Sequence, residues 1–195
     1  MHGGWISIVN QAIGLRRRGV CACVAISAWT VPTFVQNFPG QPGLFLSYLD
    51  TVRTPEALAD ALDEAAALFD VLVATLFTTV EAIARVSACH PNVATGYFIQ
   101  DYEVDFDGLS DELRLAARRS YERVPDMVLF AKTAWLRERV EARHNVTVHS
   151  VKGSVDLEAF DDARIRHVEK RGNAGPRRTV RVVAMLRPAT PRRNP

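Results

Sequence analysis

A chain of 195 residues is long enough to bury a substantial core, and 48% hydrophobic with 24% charged residues is a globular balance that excludes disordered and collagen-like classes. The formal net charge of +2 hides an asymmetry: Arg164–Arg193 is dense in Arg and Lys, whereas Asp101–Glu112 is acidic. A basic end of this kind suits nucleic acid, a membrane surface or a phosphorylated ligand, and composition does not choose among them.

Cys21, Cys23 and Cys89 are odd in number and irregularly spaced, which argues against a secreted disulfide scaffold. They are expected to be buried, reduced thiols. The N-terminus MHGGW lacks a basic region followed by an apolar core, so no signal peptide is read there. The longest apolar stretch, Leu68–Phe77, is interrupted by Asp70 and falls short of the ~18 residues of a membrane span. A cytoplasmic protein is expected.

In chain order, Gly3-Gly4 leads into a helix over Trp5–Arg18, with basic residues in its last turn and Gly19 as its stop. Val20–Ser27 reads as a strand. Ala28–Gly43, with Pro32, Pro39 and Pro42, reads as a loop, and Leu44–Tyr48 as a short strand. Thr54-Pro55-Glu56 starts a helix that runs to about Leu68, because Thr caps, Pro fits the first turn and Glu favours the dipole.

Val71–Thr75 is a buried strand, Thr78–Ala88 a helix and Val93–Ile99 a strand ending in the polar cluster Gln100-Asp101-Tyr102-Glu103. Ser110-Asp111-Glu112 opens a helix to about Tyr121. A strand at Met127–Phe130, a helix at Thr133–Ala142 and a strand at Val146–Val151 follow. A basic connection spans about Asp161–Arg178, and Thr179–Leu186 reads as one more buried strand. Alternation of this kind predicts an α/β fold with a Rossmann-like, doubly wound parallel sheet. In such folds a strand feeds the first glycine turn, and none precedes Gly3-Gly4, so the chain reads as truncated at both ends.

Four stretches resemble family 4 glycosyltransferases, in particular a bacterial rhamnosyltransferase-like branch that builds cell-surface polysaccharides. His2-Gly3-Gly4, with a helix ending Leu15-Arg16-Arg17-Arg18-Gly19-Val20, looks like the family's opening, with Val20 where a His is common. Tyr97-Phe98-Ile99-Gln100-Asp101-Tyr102-Glu103 is similar to the branch's "YFVQDYE" element and is the most specific of the four. Val151-Lys152-Gly153-Ser154-Val155-Asp156 with Phe160 resembles the family's domain junction, with Lys152 for Asn and Ser154 inserted. Val182–Arg193 looks like the "ARP-x-TPRR" start of the donor-binding domain.

The resemblance implies the N-terminal half of a two-domain GT-B enzyme: residues 1–160 a Rossmann-like acceptor-side domain, 161–178 a linker, and 179–195 the start of a truncated donor domain. Implied partners are a nucleotide sugar and a glycan or lipid-linked acceptor, with peripheral membrane contact and no nucleic acid. No cofactor is implied beyond the nucleotide-diphosphate sugar as co-substrate. Rhamnose is the sugar that the branch suggests. The paired-glutamate signature of the donor domain would lie beyond this chain, which is expected to be inactive alone.

Gly3 and Gly4 offer unpaired N–H groups at a helix start, where a phosphate or sugar can approach the backbone. Gln100, Asp101, Tyr102 and Glu103 stand at the C-terminal end of a parallel strand, where open α/β sheets place ligands. Asp101 and Glu103 are the candidate catalytic carboxylates, with no choice made between them; Gln100 and Tyr102 join Gly3 and Gly4 in contacting the acceptor. By resemblance Arg187, Arg192 and Arg193 grip the donor diphosphate, a task that suits guanidinium forks. The five His are scattered without ligand spacing, so no metal site is expected. Trp5, Trp29 and Trp135 are read as packing residues, with Trp29 also a candidate sugar platform.

A dinucleotide oxidoreductase would need G-x-G-x-x-G after a strand, which His2-Gly3-Gly4-Trp5 does not supply. A non-catalytic or truncated glycan- or partner-binding module is the alternative that stays open.

Overall fold

The computed structural model describes residues 3–41, 43–48 and 55–152. The linker, the donor-domain strand, Arg187, Arg192, Arg193 and the capping role of Thr54 lie outside the described residues.

The elements alternate as expected: α1 (Gly3–Arg16), β1 (Val24–Ser27), α2 (Val31–Asn37), β2 (Phe45–Tyr48), α3 (Pro55–Ala65), β3 (Val71–Ala74), α4 (Phe77–Cys89), β4 (Ala94–Ile99), α5 (Asp111–Arg119), β5 (Val128–Ala131), α6 (Ala134–Glu141) and β6 (Val148–Ser150). Among the described residues every strand pair is parallel. The strands form two sheets, β1-β2 and β3-β4-β5-β6. Runs such as Val-Leu-Val-Ala in β3 and Val-Leu-Phe-Ala in β5 are the near-continuous apolar stretches that parallel strands carry.

Helix boundaries follow local chemistry. Gly19, at φ 83°, takes the left-handed conformation that ends α1, and its N–H bonds to the Arg16 carbonyl at 3.0 Å. Ser110 Oγ accepts from Leu113 N at 3.3 Å, and Thr133 Oγ1 from Leu136 N at 3.2 Å, each closing an orphan donor of the first turn. The region read as one loop, 28–43, instead contains α2. Pro32 falls in its first turn, where a missing N–H costs nothing, so this proline starts a helix rather than breaking one.

Among the described residues two hydrophobic cores result. The smaller joins Val9 and Ala12 of α1, Ile26 of β1, Phe34 of α2 and Leu44. The larger joins α3 and α4 (Leu58, Leu62, Val80, Ile83, Val86) to one face of the four-stranded sheet (Leu72, Tyr97, Ile99, Leu129), with Ala117, Leu136 and Val140 from α5 and α6. Strand alternation sends Phe98 to the other face, where its ring stacks on Phe130 at 5.3 Å. Val71, Val73 and Val128 are on that second face and are exposed.

The cysteine expectation fails in part. Cys21 and Cys89 are exposed and Cys23 is half-buried, because β1 begins only at Val24 and leaves the Cys21–Cys23 stretch ahead of the sheet. Burial, with Cys21 nearby, pushes the Cys23 thiol pKa up. Among the tryptophans, Trp5 packs on Phe34 at 6.3 Å, but Trp29 and Trp135 are 55% and 59% exposed. Among the described residues, no helix is long and apolar enough to cross a membrane.

Candidate functional site

In a parallel sheet all C-terminal strand ends share one edge, so the residues just past β3, β4 and β5 meet there. These are Thr75, then Gln100 and Asp101, then Lys132. Gln100 Nε2 donates to the Thr75 carbonyl at 3.2 Å, tying the β4 tip to the β3 tip.

The start of α1 packs against the same edge. A Cβ on Gly4 would lie 3.3 Å from Gln100 Oε1, a tight contact to which the Gln100 side chain would have to yield by a few tenths of an ångström, so the first turn of α1 lies close against the β4 tip. One turn on, Ser7 Oγ accepts from Lys132 Nζ at 2.8 Å. The Lys132 ammonium also stands 5.6 Å from the Phe98 ring centroid, and partial burial lowers its pKa. Gln100 Oε1 is buried without a hydrogen-bond partner among the described residues. The edge thus combines a cation, an amide with spare acceptor capacity, a carboxylate and the N-terminus of a 14-residue helix.

The cluster Gln100–Glu103 divides in two. Gln100 and Asp101 are partly exposed, and Asp101 Oδ1 accepts from the Tyr102 N–H at 2.9 Å. Tyr102 and Glu103 turn inward, at 4% and 1% exposure. Tyr102 stacks on Tyr121 at 5.7 Å with an interplanar angle of 9°, and its hydroxyl is 3.2 Å from His144 Nε2. Arg139 and Arg143 lie over its ring at 5.1 and 5.4 Å. The expectation that Tyr102 contacts an acceptor and Glu103 performs chemistry therefore meets two side chains with almost no surface to offer a substrate.

Glu103 is held from three sides. Its Oε2 accepts from the Phe77 N–H, the first of α4, at 2.6 Å and from the Tyr97 hydroxyl at 2.8 Å. Its own N–H donates to the Tyr121 hydroxyl at 3.2 Å. Burial opposes these donors and wins, pushing its pKa up to about 7; nearby Asp101 acts in the same direction. The Tyr97 and Tyr121 hydroxyls are likewise raised, chiefly by burial. Burial lowers the pKa of His144.

Gly3 opens α1 at this edge. Lys132 and Ser7 are site residues that the sequence pattern did not single out, although Lys132 follows an apolar strand in the same position as Thr75 and Gln100, which is a usable signal. Two grooves of about 420 and 650 Å³ open elsewhere, near Met127, Thr147 and His149 and near Pro91, Ala94 and Pro125, by the opposite strand ends. Among the described residues no three His, Cys, Asp or Glu side chains gather as a metal site would require.

No protein-family model matches the chain, and no curated protein matches it.

Proposed function

We propose that this chain is the acceptor-side half of a nucleotide-sugar-dependent glycosyltransferase of GT-B type, with the edge formed by Gly4, Ser7, Gln100, Asp101 and Lys132 as one wall of its sugar-handling cleft. The observation that carries this reading is the approach of the α1 N-terminus to the β4 tip at Gly4 and Gln100. It places backbone donors, a half-buried ammonium and a carboxylate on the strand ends where open α/β sheets bind ligands. In this reading Asp101 is the carboxylate that orients or deprotonates an acceptor hydroxyl, and Lys132 with the helix dipole stabilises negative charge on the leaving diphosphate. Arg187, Arg192 and Arg193 keep their proposed role toward that diphosphate, and rhamnose remains the proposed sugar.

Parallel sheets joined by helices are compatible with the Rossmann-like topology of this reading. α1 and α2 share the small core, while α3, α4, α5 and α6 contribute to the large one. Each core rests on its own parallel sheet, β1-β2 for the smaller and β3-β4-β5-β6 for the larger.

Isothermal titration with dTDP, UDP, dTDP-rhamnose and rhamnose-containing oligosaccharides tests the assignment. Measurable oligosaccharide binding with weak or absent nucleotide binding is expected. Tight nucleotide binding by this chain would overturn the allocation of the donor site to a second domain, and binding of neither class would favour a non-catalytic module.

A further inference from the structure

Glu103 is the buried carboxyl whose chemistry the proposed cleft does not use. Among the described residues no Lys, Arg or His forms an ion pair with it, yet two elements hold the carboxyl, the first turn of α4 through the Phe77 N–H and β4 through the Tyr97 hydroxyl, and the turn after α5 holds the Glu103 backbone N–H through the Tyr121 hydroxyl. It begins the short 3-10 turn Glu103–Asp105, only two residues past Asp101. The far end of that turn is held by Arg114, whose guanidinium donates to the Val104 carbonyl, and by Arg139, paired with Asp105.

We propose that Glu103 is the positioning residue of the strand-tip segment 100–105, acting as a proton-linked latch: neutral, it keeps the segment docked on α4 and β4; ionised, it favours release of the segment toward water. The latch stands whether or not the edge handles sugars. The groups facing the carboxyl are the Tyr97 hydroxyl on β4, the positive end of the α4 dipole at Phe77, and the Asp101 carboxylate in its own segment, while the Tyr121 hydroxyl accepts from the Glu103 backbone N–H beside it. Behind Tyr121 stand Tyr102 and His144. The two donors and the dipole favour ionisation, and burial with Asp101 opposes it. The raised pKa, about 7 against an ordinary 4.5, means that burial prevails. Released into water the carboxyl returns to its ordinary range, so opening is favoured progressively as pH rises from about 4.5 through 7.

Two measurements on the intact chain decide this. In 13C-glutamate-labelled protein the Glu103 carboxyl carbon should titrate with a midpoint near 7. Amide hydrogen exchange over residues 101–106 and at Phe77, corrected for intrinsic rates, should show opening increase on the order of a hundredfold from pH 4.5 to 8.5. Glu103→Gln, which keeps the acceptor without the charge, should stay protected with a flat pH profile. Tyr97→Phe, which removes one donor to the ionised form, should raise the midpoint. Glu103→Ala should open the segment at every pH, and if it does not fold, the Gln and Phe variants decide between latch and no latch. A carboxyl midpoint in the ordinary range, or the same exchange profile in wild type and Glu103→Gln, would overturn the latch.

Discussion

The two sheets of this molecule are built by one rule and stabilised unequally. Around β3-β4-β5-β6, helices α3, α4, α5 and α6 contribute to one continuous core with four fully interior strand residues, Ala74, Tyr97, Ile99 and Ala131. Around β1-β2, five buried residues form a core of their own, with Phe34 at its centre touching Trp5, Phe38 and Phe45. Local stability follows buried apolar contact, so the smaller sheet belongs to the low-stability end of the molecule. The candidate site lies where α1, which belongs to the smaller core, reaches the tips of the larger sheet.

The sharpest probe of that inequality is a pair of cavity mutations. Ile83→Ala and Phe34→Ala should each remove about 2–5 kcal/mol of local packing. Ile83→Ala should lower the global unfolding midpoint by most of that amount. Phe34→Ala should instead strip exchange protection from β1 and β2 while β3–β6 keep theirs. Equal global losses in denaturant titrations would show that the two cores unfold as one.

Next in size is the pH response centred on Glu103. Its folded pKa lies above its unfolded one, so the folded state holds the proton more tightly and stability is greatest below about 4.5. That contribution is lost as pH rises through 7, by about 3 kcal/mol if the segment stays docked. Chemical denaturation of wild type and Glu103→Gln at pH 5 and pH 8.5 should show the difference, with the variant gaining relative stability at the higher pH. A variant that tracks wild type at both values would place Glu103 outside the core.

Smaller effects test the junction. Gly4→Ala gains helix propensity but presses the Gln100 amide, leaving stability within about 1 kcal/mol of wild type. Its signature is a shift of the Gln100 side-chain amide resonances; their constancy would mean that α1 does not touch the β4 tip. Smallest is the exposed Arg123–Glu81 pair at 2.8 Å, where a double-mutant cycle should read about 0.2–1 kcal/mol, falling with salt.

Much of the architecture could be read from local signals. Ser110 and Thr133 announced their helices because capping is settled within three residues. Short, near-continuous apolar runs announced the parallel strands. Pro32 misled because proline breaks a helix interior but suits its first turn, and the sequence alone does not say which turn it occupies. Gln100–Glu103 was legible as a polar strand tip, but not its division. Which carboxyl turns inward depends on Phe77, 26 residues away, and Tyr121, 18 away, and no local pattern encodes those partners. Lys132 could be placed at a strand tip from its position after an apolar run, but its partner Ser7, 125 residues distant, could not.

Mapping amide and side-chain shifts of the labelled chain during titration with an acceptor oligosaccharide tests the site most directly. Changes concentrated at Gly4, Ser7, Thr75, Gln100, Asp101 and Lys132, with Tyr97 and Val86 unmoved, are the expected result. Saturable binding that instead perturbs Thr147 and His149, or leaves the strand tips untouched, would contradict it.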